Sequence, residues 1–210
     1  TPNLNPKFHK ELRNIKYRGS IARIHFALES LPEINGVSAD QMGTVFSICP
    51  TIEFLERASD SVKYGCLPEK PYVEFSIPSI MNPDFAPDGK HVLSATVQYA
   101  PYHLRDQKWN DESKFILKNN VVRGLENIIP GFSSIIESSM VLSPLDLENE
   151  FGLTEGNLNH GEMTLDQFMF MRPTISAAQY KSPIQNLYLC GPGTHPGGGI
   201  HGTNGLNAAQ

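Results

Sequence analysis

The residues of this 210-residue chain whose types and spacing can do chemistry crowd into one stretch, Asn186 to Gln210. It reads N-L-Y-L-C-G-P-G-T-H-P-G-G-G-I-H-G-T-N-G-L-N-A-A-Q and holds Gly191, Gly193, Gly197, Gly198, Gly199, Gly202 and Gly205. Glycine permits positive φ and lets backbone come close to a ligand. The apolar run Leu187–Cys190 reads as a short buried strand. From Asn204 on, the sequence reads as the opening of a helix. A strand, a glycine-rich turn and a helix N-terminus in that order present free N–H groups to an anion. Ordering such a loop costs on the order of 1 kcal/mol or more per residue, so its glycine density implies a geometric need. The competing reading is a glycine-rich loop with no ligand.

Gly197, Gly199 and Gly202 satisfy G-x-G-x-x-G by spacing, but not as a Rossmann fingerprint. That fingerprint needs a strand directly before it and an acid about 20 residues later. His160, His195 and His201 sit in no metal-ligand spacing, so no metal is assigned. His160, in N-H-G-E, reads either as a proton carrier near a substrate or as an ordinary hydrogen-bonded histidine. Arg172, before Pro173, reads either as the holder of an anionic cofactor or substrate group or as a structural ion-pair partner. Glu162 and Asp166 read as helix-end acids. Cys49, Cys66 and Cys190 are odd in number, far apart and without C-x-x-C, which argues against a disulfide framework or a zinc site.

The run L-Y-L-C-G-P-G-T-H-P-G-G-G-I-H-G resembles the C-terminal flavin-contacting motif of FAD-dependent oxidoreductases of the phytoene desaturase type. That group includes carotenoid desaturases and isomerases. Three upstream segments agree: P-S-I-M-N-P-D-F-A-P-D-G-K-H-V-L-S at Pro78 to Ser94, Q-Y-A-P-Y-H-L at Gln98 to Leu104, and G-N-L-N-H-G-E-M-T-L-D-Q-F-M-F-M-R-P at Gly156 to Pro173. The resemblance runs from about Phe8 to Gln210, and T-H-P-G-G-G is its most specific block.

The resemblance implies FAD as the cofactor, contacted at Gly191, Gly193, Thr194, His195, Gly197, Gly198, Gly199, Ile200 and Asn207. His160 and Arg172 are the catalytic candidates. Pro192 departs from the pattern, where an alanine or an acid is common. It has no side-chain acceptor and no N–H, which leaves the amides of Gly191 and Gly193. Residues 1–185 are implied to be mostly a substrate-binding domain. Residues 186–210 are implied to return to a FAD domain whose N-terminal part, with the true dinucleotide fingerprint, lies outside this chain.

The implied chemistry is hydride removal from a C–H bond, or electron shuttling in an isomerisation, with the flavin carrying it. The full-length protein is expected to be the enzyme, and this piece alone to be colourless and inactive. Gly198→Val is expected to abolish flavin retention by occupying ligand space. The alternative is a cofactor-free binding or protein-interaction module derived from the same family. A strand followed by G-x-G-x-x-G upstream of Thr1 separates the two.

The elements that must position these residues are mixed α and β. Ala22, Ile24, Phe26 and Leu28 alternate with polar residues, as do Val73, Phe75 and Ile77, and Leu93, Ala95, Val97 and Tyr99. These three strands are predicted to share one mixed or antiparallel sheet. Val45–Cys49 and Ile135–Leu142 are further strand candidates. Phe8–Tyr17 is a helix candidate. A helix after Pro50-Thr51 is predicted to present Ile52, Leu55, Ala58 and Val62 as an apolar stripe and to stop at Gly65. Pro78–Lys90 reads as a loop. Asn110 or Asp111 caps a long helix to about Ile128. Ser143-Pro144 starts a short one that ends by Gly152. Thr164-x-x-Gln167 reads as a capping box opening a helix over Leu165–Met171. The fold class is α+β, with four to six strands and three to five helices.

Composition narrows the functions. Hydrophobic residues make up 40% and charged residues 19%, as in ordinary globular proteins. A net charge of −5 gives no electrostatic reason to bind nucleic acid. No apolar run has the length of a membrane span. The expected partner is an apolar small-molecule substrate, with peripheral membrane contact and self-association left open. A reducing compartment is expected, the cytoplasm or, in a eukaryote, the mitochondrial matrix. Thr1-Pro2 opens without an initiator Met and reads as an internal cut.

Overall fold

Period-2 alternation builds the core of residues 20–147, one of two compact units in this computed structural model, which describes residues 4–38 and 41–210. The Thr1-Pro2 reading lies outside the described residues. Five strands form one antiparallel sheet: β1 (Ile21–Leu28), β2 (Phe46–Ile48), β3 (Tyr72–Ser76), β4 (His91–Gln98) and β5 (Ile136–Leu142), in the order β2-β3-β4-β1-β5. Ile24 pairs with Ala95 and with Val141, and Phe75 with Ala95 and Phe46. This register puts Ala22, Ile24, Phe26, Leu28, Val73, Phe75, Leu93, Ala95 and Val97 on one buried face. The three strands predicted to share a sheet do so.

Helix α4 (Asp111–Glu126) opens with a capping box between Asn110 and Ser113, and buries Leu117, Val121 and Leu125 in the same core. Phe132 follows it and meets Phe26 edge-on, with ring centroids 5.3 Å apart. Helix α2 (Ile52–Tyr64) starts at Thr51, whose side chain accepts from Phe54 N, and stops at Gly65, left-handed at φ 65°. Its stripe differs from the prediction. Ala58 is buried and Leu55, Val62 and Phe54 are half-buried, but Ile52 is exposed because it sits in the first turn, beyond the end of the packed face. The Pro78–Lys90 segment is more ordered than a loop. It holds a one-turn helix α3 (Pro78–Met81) and a 3₁₀ turn at Pro83–Phe85, where Pro78 and Pro83 each take a helix-opening position.

The second unit comprises residues 1–19 and 148–210. It contains helix α1 (Pro6–Arg13), several 3₁₀ turns and helix α6 (Thr203–Ala209). Helix α5 (Pro144–Phe151) runs across the boundary between the units. Two sequence expectations fail here. Leu187–Cys190 is not a strand. It makes a single bridge, Lys181 to Tyr188, and leaves Leu187 and Tyr188 exposed, because no sheet edge among the described residues pairs with it. Leu165–Met171 is not a capped α-helix but two 3₁₀ turns, Leu165–Gln167 and Met169–Met171. The Gln167 amide does not cap. It accepts from Lys16 N at 2.7 Å and donates to Lys16 O at 2.9 Å, pinning a segment far away in sequence. The fold is α+β as predicted, with six α-helices among the described residues where three to five were expected. Among the described residues, no helix is long and apolar enough to cross a membrane.

Candidate functional site

All the sequence-predicted site residues fall in the second unit, and two buried side chains organise them. The first is Arg172, 2% exposed. Its Nη1 donates to Glu162 O and Gln167 O, each at 2.9 Å, and its Nη2 donates to Gly161 O at 3.1 Å and to Asn159 O. The planar fork of the guanidinium suits such convergent carbonyls. Burial pushes its pKa down from the ordinary arginine value, and no carboxylate among the described residues offsets this. Its Nε is buried without a partner. Arg172 thus fixes the 159–167 loop through backbone oxygens. Glu162 and Asp166 instead pair with Arg18 and Lys16.

The second is Asn204, 6% exposed, at the start of α6. Its Nδ2 faces Thr194 O at 3.0 Å, His195 O at 3.0 Å, Thr194 Oγ1 at 3.2 Å and Gly197 O at 3.3 Å. Thr194 Oγ1 donates to Gly191 O at 2.9 Å, and Tyr180 Oη donates to His195 O at 3.0 Å. Asn207 Nδ2 donates to Tyr180 Oη at 2.8 Å. One connected network therefore holds residues 191–197 against α6. Asn204 and Tyr180 escaped the sequence reading. An asparagine two residues after Gly202, at the head of a helix, was the signal that marked the first. Tyr180 had none.

The tail glycines are close-packing positions, though not all toward open space. A Cβ built on Gly193 falls 3.2 Å from His160 Cβ, one on Gly197 falls 2.9 Å from Met163 Cε, and one on Gly198 falls 2.1 Å from Asn159 Oδ1. The loop that Arg172 fixes is thus the floor on which the tail lies. This revises the reasoning behind Gly198→Val, because the space beside Gly198 is taken by Asn159. Gly191 and Gly202, both at positive φ, have nothing within 4 Å of a built Cβ.

The upper side of the tail is different. Among the described residues, none of the N–H groups of residues 197–202 donates to a protein acceptor. The Ile200 side chain stands fully in solvent, at 111% relative exposure. Residues 186–210 contain no Asp, Glu, Lys or Arg. His195 Nδ1 is buried and unpartnered, His160 is exposed beside Gly193, and His201 Nδ1 accepts from Thr203 N at 3.1 Å. The three histidines are engaged differently, and no group of three metal-ligating side chains exists among the described residues. A run of unpaired amides in a segment that itself carries no carboxylate suits an oxygen-rich or anionic group.

Sequence comparison bears out the resemblance: the chain is similar to a pyridine nucleotide-disulfide oxidoreductase domain-containing protein and, at lower identity, to carotenoid dehydrogenases and phytoene desaturases. It is 36% identical, over 97% of its length, to pyridine nucleotide-disulfide oxidoreductase domain-containing protein 2 of Rattus norvegicus, and covers 36% of that relative. It is 28% identical over 93% of its length to 4,4'-diapolycopen-4-al dehydrogenase of Metabacillus indicus, covering 36% of it. It is 26% identical over 93% of its length to the lycopene-forming phytoene desaturase of a Paracoccus species, covering 37% of it. The chain therefore spans little more than a third of these curated relatives. No protein-family profile matches it.

Proposed function

We propose that this chain is the C-terminal part of a FAD-dependent oxidoreductase that takes hydride from a C–H bond of an apolar small molecule. Residues 186–210 would complete the flavin site, and most of the preceding chain would serve the substrate. The observation that carries this reading is the unpaired run of amides at 197–202, held from below by Asn204 and by the Arg172-fixed loop. A flavin offers pyrophosphate and ring oxygens that such donors suit. Relatives named as a dehydrogenase and a desaturase support the reaction class.

When bound, the flavin supplies the hydride-accepting chemistry. The chain's own residues would do three things. The amides of residues 197–202 would donate to cofactor oxygens, with Gly197 and Gly198 letting that stretch lie close on Met163 and Asn159. Ile200 would cover the cofactor and exclude water. Arg172 would act as a positioning residue, since its four Nη hydrogens already meet backbone carbonyls of the loop on which the tail lies. His160, exposed beside Gly193, is the side chain left to carry a proton.

The remaining flavin contacts would come from sequence outside this chain, so the chain alone would not retain the cofactor. The test is an absorbance spectrum of the purified 210-residue chain, followed by titration with FAD. The reading expects a colourless protein and no saturable flavin band. A stoichiometric oxidised-flavin spectrum would overturn the division of the site between this chain and the rest of the protein.

A further inference from the structure

A groove in residues 20–147, wholly separate in sequence from the tail, has a composition that the flavin reading does not use. Its volume is about 630 Å³, within the usual range of small-molecule pockets, roughly 300–1,000 Å³. Strand β2, the 69–71 strap and one side of α4 bound it. Ile48, Pro50, Phe54, Pro71, Val73 and Ile128 give it apolar walls. Ile48, Phe54 and Ile128 are only half-buried because they face this space. The strap is tied to α4 by Asn120, which is buried and donates from Nδ2 to Pro68 O at 2.8 Å.

Two features make the groove a site rather than a dent. The first is Gly124, inside α4, where glycine costs roughly 1 kcal/mol relative to alanine. A Cβ built there meets only Ile48 Cδ1, at 3.8 Å, so no crowding forces the glycine. What the missing side chain leaves is room on the groove floor. The second is the charge of the rim, which carries Lys70, Arg123 and Glu69. Neither Lys70 nor Arg123 forms an ion pair among the described residues. Arg123 reaches Asn120 Oδ1 with one Nη, which aims the guanidinium along the groove wall and leaves its other donors free. The rim is thus net positive by one charge over an apolar trough. A second space of about 660 Å³ adjoins it, sharing Pro50, Phe54, Glu69 and Lys70, and gives a long tail somewhere to continue.

We propose that this groove binds a straight-chain alkyl carboxylate, with the carboxylate held by Arg123 and Lys70 and the chain lying along Ile48, Phe54 and Ile128 past Gly124. Arg suits a carboxylate because its fork matches both oxygens. A single carboxylate is the anion that a rim of one net positive charge neutralises.

The test uses the full 210-residue chain and calorimetric titration with dodecanoate, dodecanol and dodecyltrimethylammonium, each below its micelle concentration. Saturable 1:1 binding of dodecanoate is expected, with the alcohol and the cation weaker by roughly tenfold or more, the scale of one charge-assisted contact. Gly124→Leu should fill the trough and remove binding while leaving the melting temperature near that of the parent. Arg123→Glu, on an exposed residue, should weaken dodecanoate by roughly tenfold or more and leave the alcohol unchanged. Equal binding of all three amphiphiles, no binding of dodecanoate, or dodecanoate binding unaltered by both variants would overturn the proposal.

Discussion

Replacing Asn204 by alanine should loosen the tail more than any other single side-chain truncation in residues 186–210. Asn204 has two N–H donors and four oxygens within reach, three of them backbone carbonyls of the 194–197 loop. Each buried hydrogen bond contributes a net 0.5–1.5 kcal/mol or so, and leaving buried acceptors unpaired adds about 1–3 kcal/mol. The expected loss is roughly 2–4 kcal/mol, which for a chain of this length lowers the melting temperature by roughly 5–15 °C. Asn207→Ala is the internal control, since it removes one bond, to Tyr180 Oη, and should cost about 1 kcal/mol. Asn204→Asp keeps the shape but aims an acceptor at carbonyl oxygens. At neutral pH it should be less stable than the alanine variant. Its carboxyl would have a folded pKa above the unfolded value, so the variant's stability should fall as pH rises from the unfolded pKa through the folded one. Circular dichroism melts of the four proteins decide the matter. If Asn204→Ala melts within about 1 °C of the parent, far less than the loss of two buried bonds requires, the clamp does not exist as described.

Two further outcomes follow from named contacts. Gly198→Ala should destabilise the chain because its Cβ would meet Asn159 Oδ1, and adding Asn159→Gly should restore most of the loss. Failure of that rescue in thermal melts would show that the tail does not lie on the 159–163 loop. In the sheet, Tyr72 Oη donates to Glu74 Oε1, and this bond, with burial, pushes the Tyr72 pKa up to about 12. Its contribution to stability is therefore complete below the ordinary tyrosine value of 10.0 and is lost as pH rises toward 12. Ultraviolet titration of tyrosinate should show a late component that Tyr72→Phe removes, and its persistence in that variant would assign the late proton elsewhere.

How far the sequence could be read depended on whether local pattern and tertiary need agreed. The sheet was legible because Ala22–Leu28, Val73–Ile77 and Leu93–Val97 are buried on alternate residues by a single apolar layer, which is what period-2 patterning encodes. The caps at Thr51, Gly65 and Asn110 were legible because capping is a local hydrogen-bond problem. Leu187–Cys190 misled because a short apolar run becomes a strand only if an edge is offered to it. Gln167 misled for the related reason that its amide satisfies Lys16, about 150 positions away, and no window of local sequence contains that partner. The glycine cluster was legible as a close-packing stretch, but what its glycines pack against was not. Asn159, His160 and Met163 fill the underside, while residues 199–202 are exposed and the 197–202 amides donate to no protein acceptor among the described residues. Asn204 was marked only by its place, two residues after Gly202 at the head of a helix, since its type alone does not show that it is buried.

The outward face supplies the most direct test of the central claim. Ile200 touches solvent on all sides, so Ile200→Asp should leave the chain's own stability within about 0.5 kcal/mol of the parent. In the full-length protein the same residue would lie against the flavin, where a carboxylate would be repelled by the pyrophosphate and would lose its water. The measurement is the flavin-to-protein ratio, by absorbance, of the purified full-length protein and its Ile200→Asp variant. The account predicts close to one flavin per chain in the parent and a ratio several-fold lower in the variant, at unchanged folding. A parent without flavin, or a variant that retains it fully, would contradict the assignment of this tail to the cofactor site.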